Sequence, residues 1–572
     1  MHMERIIECV PNFSEGRDMR VIEAIVEAIQ KGGKGIGNGI KVLDIDPGEA
    51  TNRTVVTFVG SPEAVVEAAF CGVRKAGELI DMRQHHGAHP RSGATDVLPL
   101  VPVSGITLDE CAKLARTLAE RIFRELGIPC YCYEAAAFTA KRKNLAVCRA
   151  GEYEALPEKI ADPERKPDFG PDSFNDTVAR CGAINVGARD FLIAVNFNLN
   201  TTSTRRANAI AFDVREKGRP KREGDPVTGK IVKDSNGNTV MIPGTLKGCK
   251  AIGWYIDEYG IAQVSMNITD IGATPLHTAF DEVCRAAAAR GIRVTGTEIV
   301  GLVPKKVLVD AGKHYLAKQQ RSLGIPEEEI IRIAVKSMGL DDLKPFKPEE
   351  KVIEYLMGAD DPSKERLVGL SCRQFARETA SESVAPGGGS VAAYAGALGA
   401  ALATMVANLS AHKPGWDSRW KEFSDQAEQG QSLMDELLKL VDEDTAAFNR
   451  VMEAIRLPKG SEEERAAREK AIEEANTYAA EVPLKTLRTV TKVFPLLKYV
   501  AEQGNPGSVS DAGVGAAAAL CSAIGAELNV RINAKSLSDR QTADRLTEEA
   551  SSLLAAAVES QKEILSIVDS RI

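Results

Sequence analysis

The chain is 572 residues long, 44% hydrophobic and 27% charged, with a net charge of −8 at pH 7. At roughly 100–200 residues per domain this length predicts about three to five domains or subdomains, with room for several cores. The acidic balance excludes a general nucleic-acid binder, which carries a basic patch or a high pI, and leaves room for local pockets that hold a small anion. The 11 cysteines are scattered. Cys130 and Cys132 are the closest pair and no C-x-x-C occurs, which excludes zinc ribbons, thioredoxin-type motifs and a disulfide framework. Reduced, buried thiols in a cytoplasmic protein are expected. Met1 to Arg5 leads into no apolar core, so no signal peptide is expected. The apolar stretch Gly388–Ala407 is broken by small residues and reads as a buried helix rather than a membrane span.

The chain opens with alternating strand and helix signals. Ile6–Val10 is a short apolar run ended by Pro11, and Val21–Ile29 has helical spacing. Lys41–Ile45 and Thr54–Val59 read as strands, followed by a helix over Pro62–Ile80, a strand over Val97–Val103, a helix over Leu108–Leu126 and a strand over Pro129–Tyr133. Gly151–Gly187 is irregular, rich in Pro, Gly and Asp, and reads as a crossover or ligand-lining loop. The pattern then recurs: strand Phe191–Leu199, helix Thr202–Glu216, paired strands Ala251–Ile256 and Ile261–Ile268, helix Leu276–Ala289, strand Ile292–Ile299 and helix Val303–Lys318. Two runs of strand-helix-strand-strand-helix-strand predict an α+β region of two ferredoxin-like α/β sandwich subdomains, over 1–186 and 187–357. Gly218–Lys247 reads as a surface excursion with a hairpin tip at Asn236-Gly237. Residues 358–366 read as a linker. Beyond it strand signals nearly vanish, and helical periods over 392–411, 417–454, 461–479, 482–503, 510–532 and 541–571 predict an all-α bundle over 367–572.

Five segments carry polar groups suited to chemistry. In Asp81–Ala94, three of the chain's seven histidines fall within five residues, at His85, His86 and His89. Imidazole is the side chain best matched to proton transfer near neutral pH. Gly87 and Pro90 argue for a loop, which disfavours His85 and His89 as an i, i+4 metal pair. A solvated polar loop and a metal site stand as alternatives. Gly387-Gly388-Gly389-Ser390 precedes an Ala-rich helix. Three glycines let the backbone approach a ligand whose anionic or carbonyl oxygen meets the helix start. A tight turn for helix packing, with Ser390 as cap, explains the pattern equally well. Asp444 follows Leu437 by seven residues and Leu440 by four, so it points into the apolar stripe that continues to Phe448, whereas Asp442 and Glu443 fall off it. A carboxylate there needs a partner and tends to a raised pKa, which suits a general acid/base or a structural bond to a neighbouring helix. Asn12, beside Glu15, and Asn52-Arg53, downstream of Asp44 and Asp46, stand at strand ends. There, turn and cap chemistry explains them as well as binding does.

Taken in chain order, these segments resemble the formimidoyltransferase-cyclodeaminase family. The matching stretches are Glu8-Cys-Val-Pro-Asn-Phe-Ser-Glu-Gly16, Thr51-Asn-Arg-Thr54, His89-Pro-Arg with Gly93-Ala94, Arg149-Ala-Gly-Glu-Tyr-Glu-Ala-Leu-Pro157, Gly253-Trp-Tyr255, Gly301-Leu-Val-Pro304, Ala385-Pro-Gly-Gly-Gly-Ser-Val-Ala392 and Asp442-Glu-Asp444. The resemblance covers nearly the whole chain. It implies transfer of a formimidoyl group from N-formimidoyl-L-glutamate to N5 of tetrahydrofolate, the co-substrate. It also implies cyclisation of the product to 5,10-methenyltetrahydrofolate with release of ammonia. By the same resemblance His89 is the transferase base and Asp444 the cyclodeaminase acid/base; Asp46, a polar residue at a strand end, is assigned to orient His89. Substrate binding is assigned to Asn12, Asn52, Arg53, Arg91 and Gly387–Ser390, and folate contact to Gly170, Pro171, Asp172, Ser173 and Phe174. The loop after Phe174 and the 218–247 excursion are longer than in the family's animal members. No metal or redox cofactor, nucleic acid or membrane is expected. A cytoplasmic homo-oligomer, a dimer or higher, is expected. Three rivals remain: a helical part acting as a methenyltetrahydrofolate cyclohydrolase, a non-catalytic folate-binding scaffold, and a metal-dependent hydrolase using His85 and His89.

Overall fold

The computed structural model describes residues 5–37, 39–49, 52–87, 90–225, 228–358, 367–383 and 385–572. By packing, the chain divides into two compact units, Met1–Leu308 with Met338–Asp360, and Val309–Ser337 with Asp361–Ile572.

The first unit begins with β1 (Ile6–Cys9) and β2 (Asn12–Phe13), one strand path interrupted at Val10-Pro11, where proline cannot donate to a ladder. The helix α1 (Met19–Gly32) starts at Asp18, whose carboxylate accepts the Arg20 N–H, and buries Ile22, Ile25, Val26 and Ile29 on one face. Strands β3 (Ile40–Gly48) and β4 (Arg53–Gly60) follow. Next come α2 (Pro62–Leu79), with Pro62 in its first turn, and β5 (Thr95–Ser104). A Thr107–Glu110 capping box opens α3 (Leu108–Leu126), and left-handed Gly127 closes it. Then comes β6 (Cys130–Glu134). These match the predicted elements.

The segment read as a loop holds more structure than its composition suggests. α4 (Leu145–Arg149) stands just before it, and it contains α5 (Leu156–Ala161), α6 (Asp176–Cys181) and nearly all of β7 (Ile184–Ala188). Strand β7 lies between β5 and β6 and is parallel to both, with Asn185 opposite Val97 and Tyr131. Asn185 and Gly187 disguise it as a loop in the sequence. In the fold Asn185 is fully buried and donates to the Asp96 carbonyl at 2.9 Å. A Cβ on Gly187 would stand 2.5 Å from the Tyr133 ring, so only glycine fits there.

The second sheet is built from β8 (Ile193–Leu199), α7 (Thr204–Val214), the small pair β9 (Arg219–Pro220) and β10 (Met241–Ile242), then β11 (Cys249–Ile256), β12 (Ile261–Ile268), α8 (Leu276–Ala288) and β13 (Val294–Val300). β9 and β10 form their own ladder inside the predicted excursion, and Asp234 Oδ1 accepts the Asn236 and Asn238 amides at its tip. In both large sheets the four strands of the strand-helix-strand-strand-helix-strand run take the same spatial order: second, third, first, fourth. In the first sheet this is β3, β4, β1/β2, β5, and in the second β11, β12, β8, β13. Helices α9 (Lys305–Lys318), α10 (Glu327–Met338), α11 (Pro348–Lys351) and α12 (Ile353–Gly358) follow. Residues 359–366 of the expected linker lie outside the described residues.

The second unit contains α13 (Cys372–Thr379), α14 (Gly388–Ala411), α15 (Trp420–Arg456), α16 (Glu462–Thr491), α17 (Val493–Gln503), α18 (Val509–Ala534) and α19 (Arg540–Asp569). Residues 309–337, which the sequence reading attached to the preceding α/β portion, pack with these helices: Leu323 N donates to Ser424 Oγ at 3.0 Å and Asn408 Nδ2 to Gly324 O at 2.7 Å. Helix α14 is long and apolar enough to span a bilayer, but most of that apolar window is buried within the protein. It packs closely on α18 because both are small-residued: a Cβ on Gly399 would meet Gly515 O at 2.9 Å, and one on Gly396 would meet Ser522 Oγ at 2.6 Å. The predicted break near residue 480 is absent. α16 runs through Pro483 to Thr491, because buried Leu484, Leu487 and Val490 outweigh the hydrogen bond that proline removes.

Gly187→Ala is expected to lower the stability of the first unit by about 1–3 kcal/mol through overpacking against Tyr133, measured by urea unfolding followed at tyrosine fluorescence.

Candidate active sites

The histidine segment connects α2 to β5. Ala88 and His89 lie outside the described residues, but the residues around them are tied down. Asn52, in the left-handed conformation at φ 47°, latches three segments together. Its Oδ1 accepts the Gly16 amide at 3.0 Å, its Nδ2 donates to the His86 carbonyl at 2.9 Å, and its own carbonyl faces His85 Nε2 at 2.9 Å. A main-chain carbonyl only accepts, so His85 carries its proton on Nε2 and its lone pair on Nδ1. Burial pushes the pKa of His85 down, which keeps the ring neutral at pH 7, and Nδ1 is buried with no hydrogen-bond partner among the described residues. His85 to Gly87 form no helix, and the other member of the i, i+4 pair, His89, lies outside the described residues.

Strand alternation divides the first sheet. Ile7, Cys9, Phe13, Phe58 and Leu98 join the core under the helices, so Glu8, Asn12 and Asn185 turn to the opposite face. Asp44 and Asp46 stand opposite Thr57 and Val55 there, and Asp46 is exposed. Burial pushes the Glu8 carboxyl up to about 7, against the pull of Arg189. Asn12 Oδ1 accepts Arg53 Nη1 at 2.6 Å. Asp96 is buried and pairs with Arg149 at 2.6 Å, a partnership no sequence pattern announced. Arg91 grips Glu154 with both Nη atoms, at 2.9 and 2.7 Å, so its charge is already neutralised within the protein. In the Gly170–Phe174 stretch, the preceding Phe169 exchanges both main-chain hydrogen bonds with Cys130. Pro171 is half-buried, and Asp172, Ser173 and Phe174 are exposed. Asn175, which caps α6, ends the stretch.

In the helical unit, two sequence motifs 54 residues apart meet. Gly387 is the N-cap of α14 and offers no side chain. Ser390, weighed as a cap in the sequence, instead lies buried inside the helix start, its hydroxyl 2.9 Å from Val441 O and 3.0 Å from Asp444 Oδ2. The Ser390 N–H also bonds the Asp444 carboxylate. A Cβ at Gly389 would stand 2.1 Å from Asp444 Oδ1, so the carboxylate occupies the space that any other side chain would fill. Burial raises the pKa of Asp444, and the Ser390 hydrogen bonds oppose the rise. Its neighbours do other work: Asp442 accepts the Leu367 amide, and Glu443 bonds Tyr478 and Lys485. Phe448, placed in the apolar stripe by its spacing, is partly exposed. The carboxylate opens on a cavity of about 270 Å³ whose wall includes Thr445, Phe448, Val451, Asn476, Asn529 and Asn533. The asparagines were missed in the sequence. Two of them four apart in an Ala-rich helix are a detectable signal, since asparagine is a poor helix-interior residue.

A carboxyl with a folded-state pKa above its unfolded value contributes stability that is present below the unfolded pKa and lost as pH rises through the folded one. Ionised Asp444 therefore costs stability at neutral pH. Asp444→Asn is expected to melt at the same temperature as the native protein or higher at pH 7, with the difference closing as pH falls toward the ordinary Asp value of 3.8, measured by calorimetry across pH. Gly389→Ala is expected to melt lower, because the added methyl displaces that carboxylate.

Residues 6–189 match the formiminotransferase domain, N-terminal subdomain; residues 194–358 match the formiminotransferase domain; and residues 371–552 match the formiminotransferase-cyclodeaminase model. The formimidoyltransferase-cyclodeaminase of Sus scrofa is 43% identical over 556 residues, 97% of each chain. The glutamate formimidoyltransferase of Streptococcus pyogenes serotype M1 is 40% identical over 314 residues, 55% of this chain and 94% of that one. The methenyltetrahydrofolate cyclohydrolase of Methylorubrum extorquens is 39% identical over 193 residues, 34% of this chain and 93% of that one. With full-length similarity of this degree, the chain belongs to the formimidoyltransferase-cyclodeaminase family.

Proposed function

We propose that the first unit transfers the formimidoyl group of N-formimidoyl-L-glutamate to N5 of tetrahydrofolate, and that the second cyclises 5-formimidoyltetrahydrofolate to 5,10-methenyltetrahydrofolate and ammonia. The observation that carries this reading is the Asp444 carboxylate on the glycine-rich start of α14, inside a small cavity. In the transfer, N5 attacks the amidine carbon and loses a proton, and the glutamate nitrogen gains one as it leaves. His89 serves as the shuttle, with Asp46 as its orienter, and the Asn52 latch sets the path of the loop. Asn12, Arg53 and Arg91 hold substrate carboxylates or the groups that orient them. Gly170–Phe174 lies along the folate at the edge of the first sheet. In the cyclisation N10 attacks the same carbon. Asp444 takes the N10 proton and passes it to the departing nitrogen, a transfer for which a raised carboxyl pKa is suited. Gly387–Ser390 leave space for the ligand beside that carboxylate. Neither step calls on a metal or redox cofactor.

The shared strand order of the two sheets supports reading both as ferredoxin-like. The free thiols suit a reducing compartment such as the cytoplasm. Exposed Val391, Leu398 and Met405 on α14, and Val514 and Leu528 on α18, recur at multiples of seven. That spacing lines up an apolar strip on each of two adjacent helices, and a second copy of the chain is its occupant. Leu398→Glu with Leu528→Glu is expected to lower the mass seen by light scattering.

The similarity to a methenyltetrahydrofolate cyclohydrolase favours one rival for the helical unit, hydrolysis without ammonia. A coupled assay with tetrahydrofolate and N-formimidoyl-L-glutamate, following ammonia and methenyl absorbance together, separates the two. His89→Ala is expected to lose about 10²–10⁴-fold in transfer while still cyclising supplied 5-formimidoyltetrahydrofolate, and Asp444→Asn to do the reverse. Full transfer by His89→Ala would remove that histidine from the mechanism.

A further inference from the structure

The cavity beside Asp444 holds three asparagines whose amides are fixed by hydrogen bonds. Among the described residues its wall contains no Lys, Arg or His, and Asp444 is its one charged group. Three asparagines line it, and each has its amide nitrogen committed elsewhere: Asn529 Nδ2 donates to Gly525 O at 2.7 Å, Asn533 Nδ2 to Ala479 O at 2.6 Å, and Asn476 Nδ2 to Ser536 O at 3.4 Å. Carbonyl oxygens only accept, so these bonds fix which way each amide faces. Among the described residues no donor reaches the three Oδ1 atoms, which stand as acceptors. Asn529 and Asn533 stand one turn apart on α18, on the same face. The Asn529 amide lies against Gly388, its Nδ2 3.3 Å and its Oδ1 3.8 Å from where a Cβ would be, while the Asp444 carboxylate oxygen is 2.1 Å from where a Cβ on Gly389 would be. Two adjacent glycines therefore bring the Asn529 amide and a buried carboxylate side by side.

Two fixed amide acceptors one turn apart on α18 match a ligand edge that carries adjacent donors. The pyrimidine ring of a reduced pterin presents such an edge, with its exocyclic amino group next to a ring N–H, and Phe448 and Val451 supply apolar surface for the ring. We propose that Asn529 and Asn533 determine pterin specificity at the helical site by accepting from that edge, which leaves the one-carbon group beside Asp444. This rests on the cyclodeaminase reading and names the part of the substrate that the site recognises.

The test uses the full chain. Ammonia release from supplied 5-formimidoyltetrahydrofolate is inhibited competitively with 5-formyltetrahydrofolate and, separately, with its 2-desamino analogue. Asn529→Leu and Asn533→Leu are expected to raise KM and the inhibition constant of the amino-bearing inhibitor about tenfold or more, as for a lost buried hydrogen bond. In at least one of the two variants the penalty shrinks for the analogue that lacks the amino donor, while kcat and the transferase rate of the same chain stay within about threefold. Asn529→Ala and Asn533→Ala, which add no bulk to the helix, are read in the same way. Equal penalties for both inhibitors in every variant, or none for either, would overturn the assignment, since a merely structural role cannot sense the ligand's amino group. Native protein that releases no ammonia would overturn the cyclodeaminase reading and this inference with it. Native release together with unchanged inhibition constants overturns the asparagine assignment alone.

Discussion

Everything distinctive in the helical unit depends on one close approach, the carboxylate of Asp444 lying where a side chain on residue 389 would be. Helices pack at distances set by their side chains, so a carboxylate reaches a neighbouring helix's backbone only where the neighbour has none. The glycines at the start of α14 provide that gap and expose main-chain N–H groups to an anion. Burial and hydrogen bonding then act in opposite directions on the same group: desolvation raises the carboxyl's pKa and Ser390 restrains it. That balance is the one the proposed acid/base role of Asp444 calls for.

The first unit obeys a different constraint. Its chemistry is spread over loops, and loops need anchors if their groups are to be placed. Asn52 anchors the histidine loop, the β3–β4 turn and the segment after β2 at once. Asparagine suits the position because it tolerates a positive φ and carries both a donor and an acceptor. Below the loops, the face of the sheet turned away from the helices collects Glu8, Asn12, Asp46 and Asn185. They are scattered in sequence and gathered by strand alternation alone.

Much of this was legible before folding. Helical periods and the repeated strand-helix order located most elements. Asp444 stood out because its spacing set it against an apolar stripe, and the three histidines because of their density. Other features were hidden for physical reasons. The strand Ile184–Ala188 has an asparagine and a glycine inside it, residues that local propensity assigns to loops. Only its burial between β5 and β6, with Tyr133 over Gly187, makes it a strand. The break expected between residues 479 and 482, just before Pro483, does not occur, since the sequence does not show how much apolar surface is buried on either side of it.

The sequence by itself determined the class of each half, the order of nearly all its elements and the residue types available for proton transfer, because periodicity and capping are local properties of the chain. The tertiary structure alone decided which of those residues meet. Ser390 and Asp444 are 54 positions apart and 3.0 Å apart in space. Asp96 and Arg149 are 53 apart in the chain and share a buried ion pair. Whether the asparagines of α18 face solvent or a cavity depends on how closely glycine and alanine let α14 and α18 approach. That distance arises from packing between helices, which no window of sequence contains.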